Sequence, residues 1–319
     1  MMATVEQIKQ LIRYHYERSD EKFKTTVLQI AASEAKAGHS TQARELKDIL
    51  EKLGKGIVLQ FKPANSLFDI IAPSVRLDEL VVSQEIGDRI RKIIQEYRQR
   101  DKLRKFGLDN RRKILIEGPS GTGKTMTASV LACELNLSLF TIQMDKLISK
   151  FMGETSSKLR QLFESIEQCP GVYLFDEFDA IGADRSFDNE VGEMRRVLNA
   201  FLQLIEGDSS DSIIVAATNN NQMLDQALYR RFDDVLHYTL PTEKEIIHLF
   251  SLKLGTYFGS VSIADNTVKA AYGLSQAEVT RICDELIKAA ILNEQAFSNK
   301  QLRLLISERS CVYRSKEVQ

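Results

Sequence analysis

Hydrophobic residues in the middle of the chain occur in short unbroken runs, whereas those near both ends recur every three or four positions. Short apolar runs rich in β-branched and aromatic residues are typical of buried strands. Because segments with helical periodicity separate these runs, they predict an α/β fold, a doubly wound parallel five-stranded sheet with helices on its faces. The runs lie at residues 114–116, 139–142, 172–175, 213–217 and 235–240.

Both ends of the chain show helical rather than strand periodicity. At the N-terminal end, three short amphipathic helices predict a small bundle, which would act either as an oligomerisation or spacer element or as a docking module. At the C-terminal end, capping boxes at Thr242 with Glu245 and at Ser275 with Glu278 precede helical patterns and predict part of a group of four helices. The expected domains are a helical domain at 1–55, a linker at 56–83, an α/β domain at 84–240 and a C-terminal helical domain at 241–319.

The loop after the run at 114–116 fits the phosphate-binding pattern G-x-x-x-x-G-K-[ST] at every fixed position. A strand is predicted before it and a helix after it, which is the context that the motif requires. Glycines let backbone N–H groups turn toward phosphate oxygens, the helix N-terminus favours negative charge, and Lys124 adds a mobile positive charge. The Thr125 hydroxyl is expected to bind magnesium. The expected nucleotide-contacting residues of this segment are Gly118, Pro119, Ser120, Gly121, Thr122, Gly123, Lys124, Thr125 and Met126.

Two adjacent carboxylates follow the run at 172–175. Asp176 is expected to bind the nucleotide by holding magnesium together with Thr125, and Glu177 to polarise a water for attack on the γ-phosphorus. Strand ends are often acidic, so this pair alone carries little weight. The phosphate loop upstream is what favours a nucleotide-hydrolysing site here.

Composition and charge argue against several other classes of function. The 319 residues carry a formal net charge of -1, which gives no overall attraction to nucleic acid or anionic lipid. Between Arg89 and Lys113, eleven Lys or Arg face three acidic residues, a run typical of a solvated helix face. The four cysteines form no C-x-x-C pair, so neither a zinc knuckle nor a disulfide framework is indicated. With no signal peptide and no apolar run of about 18 residues, the protein is expected to be cytoplasmic and not membrane-bound.

Further motifs follow in an order that resembles a known family. A loop at 150–154 combines basic, apolar, small and acidic residues, the run at 213–217 continues to Asn219, and the segment 225–233 contains two adjacent arginines. Over residues 80–290, the chain resembles an AAA ATPase of the AAA+ superfamily, in the small bacterial single-cassette form of these ring-forming protein remodellers. The resemblance implies a P-loop fold whose C-terminal helices form a lid, with ATP and Mg2+ as cofactors.

The resemblance also implies roles for single residues. In the family, the loop matching 150–154 lines a central pore, which makes Lys150, Phe151 and Met152 the expected substrate-contacting residues. Phe151 would grip a threaded polypeptide, and the alternative is that it belongs to the core at a helix end. Asn219 matches a sensor that hydrogen-bonds the γ-phosphate and the attacking water, and the alternative is a turn-forming residue in an Asn-rich run.

Arg230 and Arg231 are similar to the family's arginine-finger segment, through which one subunit reaches the nucleotide of its neighbour. The segment lacks the Gly that separates the arginines in another form of the motif, so which arginine contacts phosphate stays open. Both would otherwise form salt bridges at an interface. The segment resembling the sensor 2 region has no arginine at its expected small-residue position, and Arg281 lies one turn later.

Taken together, these motifs predict ATP hydrolysis coupled to remodelling or unfolding of a protein by a homo-oligomeric ring, with a hexamer implied by the resemblance. Small bacterial proteins of this type occur beside subtilisin-like proteases, so a separately encoded serine protease is a candidate partner. The alternative function is an ATP-dependent switch or adaptor, with such a protease or on DNA, in which hydrolysis acts as a timer. The expected catalytic residues are Lys124, Glu177, Asn219, Arg230 and Arg231.

Overall fold

The computed structural model describes residues 67–147, 152–179, 190–219, 226–294 and 296–314, together with nine residues between Lys9 and Ser33. The chain divides into two compact units, 1–64 and 65–319. The nine described residues of the first unit are all helical, and Thr26, Ile30 and Ala31 are buried. The helical domain predicted at 1–55 agrees with these residues and otherwise stays a prediction.

The second unit contains a six-stranded sheet in the order β1-β3-β4-β5-β2-β6. Strands β2 to β6 pair in parallel, as the hydrophobic runs predict. The last of them ends at His237, three residues earlier than expected, and the chain continues to Leu240 without strand pairing. The strands are β1 (Phe68–Ile71), β2 (Lys113–Glu117), β3 (Leu139–Ile142), β4 (Val172–Phe175), β5 (Ile213–Thr218) and β6 (Asp234–His237).

The strand β1 is an addition to the five-stranded sheet that the sequence predicts. It pairs antiparallel with β3, with Phe68 opposite Ile142, and lies within the interval expected to be a linker. Only Phe68 of its four residues is buried, and Ile70 and Ile71 are each 46% exposed. An edge strand of this kind lacks the continuous buried run that marks the central strands, which explains why the pattern did not reveal it.

Helices cover both faces of the sheet, and the alternation of side chains along β2 shows how. Leu115 packs into one core with residues of the helices at 152–168 and 190–207, while Ile114 and Ile116 pack into another with those at 84–98 and 124–135. The helices of this part are α1 (Gln84–Arg98), α2 (Arg100–Arg104), α3 (Lys124–Leu135), α4 (Met144–Leu147), α5 (Met152–Gln168), α6 (Glu190–Gly207) and α7 (Gln226–Tyr229).

After β6 the described chain contains helices and no strand, and these helices pack around a core that also includes Val81. The Thr242 hydroxyl accepts a hydrogen bond from the Glu245 backbone and Ser275 does the same for Glu278, so both predicted N-caps are present. The complete capping box is found at Thr242 and Glu245, whereas Ser275 forms the N-cap bond alone. No helix within the described ranges is long and apolar enough to cross a bilayer. The four helices are α8 (Glu243–Phe258), α9 (Asp265–Ala270), α10 (Gln276–Asn293) and α11 (Asn299–Arg314), and we call them the lid.

Candidate functional site

A cleft of about 540 Å³ lies at the carboxyl ends of the parallel strands, between the sheet and the lid. The order of the sheet places β5 between β4 and β2, so the segments after these three strands are neighbours. Crevices at the carboxyl ends of such strands are where α/β folds bind ligands. The cleft is lined from the sheet side by residues 120–126, 176, 177 and 219, and from the lid side by residues 249, 253, 276, 277, 280 and 281.

The phosphate loop at 118–125 runs from the end of β2 into the start of α3. Gly118 has a φ of 143°, and a Cβ added there would lie 2.2 Å from the carbonyl oxygen of Tyr238. No side chain fits that space, so glycine is required where the strand turns into the loop. The loop therefore presents backbone rather than side chains to the cleft, as anion binding by N–H groups requires.

Lys124 is the charged group of the loop, and it is only 6% exposed. Its ammonium donates hydrogen bonds of 2.7 Å to the carbonyl oxygens of Gly118 and Pro119 and to Oδ1 of Asn219. Burial lowers the pKa of Lys124, although the carboxylates of Asp176 and Asp179 oppose this shift. A buried cation held mainly by neutral oxygens favours the arrival of an anion.

Thr125 and Asp176 meet across the cleft. The Thr125 hydroxyl donates to Oδ2 of Asp176 at 2.6 Å. A hydroxyl and a carboxylate oxygen in contact form the kind of hard oxygen set that Mg2+ prefers, together with water and phosphate oxygens. These two residues therefore fit the magnesium site that the sequence predicts.

Glu177 and Asn219 also line the cleft, at the ends of β4 and β5. The backbone N–H of Glu177 donates to Oδ1 of Asp176 at 2.9 Å, and Glu177 has a φ of 51°, in the left-handed region. That turn places the two adjacent carboxylates in the same cleft, although alternate residues of a strand face opposite ways. Among the described residues, none donates a hydrogen bond to the Glu177 carboxylate, which leaves it able to hold a water.

The lid contacts the phosphate loop at Gly121. The backbone N–H of Ala277 donates to the Gly121 carbonyl oxygen at 2.9 Å, and a Cβ on Gly121 would lie 2.6 Å from the Ser275 hydroxyl. Ala277 belongs to the segment 273–278, which resembles the sensor 2 region and contains no arginine. Arg281 does line the cleft, but its guanidinium pairs with Glu278 at 3.3 Å.

The arginine segment lies outside the cleft of its own protomer. Neither Arg230 nor Arg231 is among the described residues that line it, and both are exposed. Arg231 forms an ion pair with Glu206 at the end of α6. Of the predicted pore-loop residues, Lys150 and Phe151 lie outside the described part of the chain, and Met152 is the first residue of α5.

The basic run between Arg89 and Lys113 is neutralised to a large extent by the protein itself. Six of its arginines form ion pairs with carboxylates, and three of those carboxylates lie in β6, in the loop before β5 or just after α6. The pairs are Arg89–Asp234, Arg91–Asp88, Arg98–Glu134, Arg104–Asp211, Arg111–Asp234 with Arg111–Glu96, and Arg112–Asp208.

A polar cluster beside the loop had no prediction from the sequence. Glu117, the last residue of β2, is 4% exposed and contacts Tyr229 and His237. The sequence signal for it is slight, an acidic residue at the end of an apolar run directly before Gly118. The local sequence does not predict which residues contact Glu117, because they lie more than a hundred residues away along the chain.

Comparison with known proteins agrees with this geometry. The model of the ATPase family associated with various cellular activities (AAA) matches residues 114–240. The uncharacterized AAA family ATPase y4kL of Sinorhizobium fredii is 35% identical over 307 residues, which cover 92% of this chain and 91% of the relative. The proteasome-activating nucleotidase of Methanopyrus kandleri is 31% identical over 70% of this chain and 53% of its own length.

A third relative, the ATP-dependent zinc metalloprotease FtsH 2 of Thermoanaerobacter sp., is 31% identical over 68% of this chain and 44% of its own length. The chain thus spans nearly all of the Sinorhizobium relative and about half the length of the other two. The match to the first of these proteins over almost the full length of both chains, together with a cleft that contains the phosphate loop and its carboxylates, shows that this protein belongs to the AAA family and is an ATP hydrolase.

Proposed function

We propose that this ATPase couples hydrolysis to the remodelling or unfolding of another protein, and that it works as a homo-oligomeric ring, a hexamer in the simplest case. One observation carries the proposal: Lys124, Thr125, Asp176, Glu177 and Asn219 converge on one cleft at the carboxyl ends of β2, β4 and β5. Relatives named as a proteasome-activating nucleotidase and an ATP-dependent protease support a protein as the target.

The chain's own residues divide the work of hydrolysis. Thr125 and Asp176 would hold Mg2+, which supplies charge neutralisation at the phosphates. Lys124 exchanges the carbonyl oxygens it now contacts for phosphate oxygens, and Glu177 orients a water for in-line attack. Asn219, already bonded to Lys124 at 2.7 Å, changes its partner when the γ-phosphate is present and so reports its loss.

Completion of the site requires a second copy of the chain. No described arginine other than Arg281 lines the cleft, and Arg281 is paired with Glu278. Arg230 and Arg231 are exposed at the surface of the same protomer, where a neighbour's cleft can meet them. A guanidinium supplied in this way stabilises the charge of the transferring phosphoryl group and makes turnover depend on assembly.

The replacement Glu177→Gln tests the core of the proposal. It keeps the size of the side chain but removes its basicity, so we expect ATP binding to persist while turnover falls by about 100-fold or more. Glu79→Gln is a matched control, because Glu79 lines the same cleft but its carboxylate accepts from the backbone of Arg76. Steady-state ATPase rates and equilibrium ATP binding measure the two effects. Wild-type turnover in Glu177→Gln would remove Glu177 from its role.

A protein target is tested at the predicted pore loop. Phe151→Ala is expected to abolish ATP-dependent unfolding of a loosely folded reporter protein while ATPase activity stays within about twofold, since a bulky aromatic provides grip without taking part in hydrolysis. Tyr272→Ala, which changes a 69% exposed aromatic residue of the lid, is the control. Equal loss of unfolding in both variants would contradict the role of Phe151. The Glu177→Gln variant, which is expected to bind ATP without hydrolysing it, should also retain its partners. Co-purification of a serine protease with this variant would support the candidate partner that the resemblance implies.

A switch that acts on DNA would need the basic run between Arg89 and Lys113 as its contact surface, and the ion pairs of four arginines in this run weaken that alternative. They are Arg89, Arg104, Arg111 and Arg112. Each of these side chains has an acidic partner within the protein. Counterion release by phosphate contacts, which drives binding to nucleic acid, needs basic groups that are available to solvent. The geometry thus favours a protein as the target.

A further inference from the structure

Glu117 is a buried carboxylate that the hydrolytic residues leave unused. It is 4% exposed at the end of β2 and directly precedes Gly118, the first residue of the phosphate loop. A carboxylate next to an anion site is unfavourable for anion binding and costly to bury, unless hydrogen bonds hold its charge. Its partners should therefore explain why it is there.

Both oxygens of Glu117 have partners from the segment that precedes and includes β6. The Tyr229 hydroxyl donates to Oε2 at 2.6 Å, and Nδ1 of His237 contacts Oε1. The backbone adds to this, because Tyr238 N donates to the Glu117 carbonyl oxygen at 2.7 Å. Glu117 is thus bonded to the last residue of α7 and to two consecutive residues at the end of β6 and just after it.

Tyr229 links these contacts to the arginine segment. Tyr229 is the last residue of α7 and is followed at once by Arg230 and Arg231. Burial and the bond to Glu117 raise the pKa of Tyr229 to about 12, so the phenol stays protonated and remains a donor at neutral pH. The residue directly before the two arginines is therefore bonded to the strand that leads into the phosphate loop.

We propose that Glu117 and Tyr229 are positioning residues that set the arginine segment of a protomer for use at the neighbouring cleft, and that they tie its placement to the phosphate loop of the same protomer. The proposal rests on the proposed function, in which Arg230 and Arg231 act in trans. Glu117 is not among the described residues that line the cleft. A shift of the phosphate loop on nucleotide binding moves the end of β2, and the bond to Tyr229 passes that shift to the arginines.

Mixed assemblies separate an effect in trans from an effect in the same protomer. Protomers carrying Glu177→Gln, which cannot hydrolyse, are mixed with wild-type protomers, so that every measured turnover occurs in a wild-type cleft. Adding Tyr229→Phe to the Glu177→Gln protomers is expected to lower the kcat of the wild-type clefts beside them by about tenfold, the scale of one hydrogen bond to a charged group. The KM for ATP should stay unchanged, since the wild-type clefts bind it with their own loops.

Two further variants of the Glu177→Gln protomer serve as control and reference for Tyr229→Phe. Tyr272→Phe in the same Glu177→Gln background, an exposed tyrosine on the lid, should have no effect. The double variant Arg230→Ala with Arg231→Ala, in the same background, shows what loss of the arginines does. If the wild-type clefts keep their full kcat beside this double variant, the proposed function fails. If the double variant lowers the kcat of the wild-type clefts but Tyr229→Phe does not, only the inference fails.

Glu117→Leu provides a second route if Tyr229→Phe were to disturb folding, which melting temperature and circular dichroism report. Leucine leaves the Tyr229 hydroxyl without this acceptor, so Glu117→Leu in the Glu177→Gln protomers should lower the kcat of the neighbouring wild-type clefts by about as much as Tyr229→Phe. Glu117→Gln is the matched control, because a glutamine still accepts from the Tyr229 hydroxyl and should keep most of the turnover in trans. Equal losses in Glu117→Leu and Glu117→Gln, or full turnover of the wild-type clefts beside a folded Glu117→Leu protomer, would overturn the proposal.

Discussion

The sheet side and the lid side of the cleft differ in how firmly they hold their functional groups. On the sheet side, Lys124 makes three hydrogen bonds of 2.7 Å, and β2, β4 and β5 below it are fully buried. On the lid side, the helices pack around a core that also includes Val81, which precedes α1, and the backbone bond from Ala277 reaches Gly121 of the loop. The sheet side is preorganised, whereas the lid is held to it through Val81 and Gly121.

This difference suggests a division of labour between the two sides. Preorganised groups stabilise developing charge without first having to move, so they belong where phosphoryl transfer occurs. A helical unit with its own core can rotate as a body when its few contacts with the loop change. The lid is thus suited to converting nucleotide state into motion, and the sheet side to hydrolysis.

The largest effect should come from removing the preorganised cation. Lys124→Ala is expected to reduce turnover by at least about 100-fold, because a charged donor aimed at the phosphates is lost. Lys253→Ala, which removes a cation lining the same cleft from α8, should cost less than about tenfold if the lid side is adjustable. ATPase assays at saturating ATP compare the two. Equal losses would break the distinction between the sides.

An intermediate effect is expected at the point of attachment. In Gly121→Ala, a Cβ would lie 2.6 Å from the Ser275 hydroxyl and the residue would keep a φ of 76°, so either the Ser275 side chain or the lid must shift and the loop is strained. Nucleotide affinity should fall by roughly tenfold, since strain of this kind costs about 1–3 kcal/mol. Isothermal titration with a non-hydrolysable analogue measures it.

Gly255→Ala is the control for that experiment, because a Cβ at this site in α8 meets no atom within 4 Å. It should leave affinity unchanged and stabilise the lid slightly, as alanine favours a helix interior. If Gly121→Ala leaves the affinity for the nucleotide analogue unchanged, the contact between Ala277 and Gly121 does not position the lid for nucleotide binding.

The smallest effect should be confined to the lid. Thr242→Ala removes the hydroxyl that caps α8 and should lower local stability by about 1 kcal/mol. If the lid opens separately from the sheet, amide hydrogen exchange will quicken in α8 and its neighbours while the protection of β2 and β5 stays the same. A uniform change over both regions would show that they unfold as one.

The same contrast accounts for what the sequence could and could not predict. The strands β2 to β5 and the cleft residues Lys124, Asp176 and Asn219 follow from local patterns, because each depends on a short run and the residue after it. The contacts of Glu117 and the hydrogen bond from Ala277 to Gly121 depend on pairings between segments that are distant in the sequence. Local periodicity contains no information on such pairings, and it also missed β1, whose residues are mostly exposed.

The backbone at Glu177 has a consequence for attempts to engineer this enzyme. A φ of 51° suits glycine or asparagine better than glutamate, at a difference of the order of 1 kcal/mol or more. Screens that reward heat resistance will therefore enrich replacements at this residue, and if Glu177 orients the attacking water as proposed, the selected proteins will be stable and have little turnover. Stability and catalytic activity would then favour different residues at position 177.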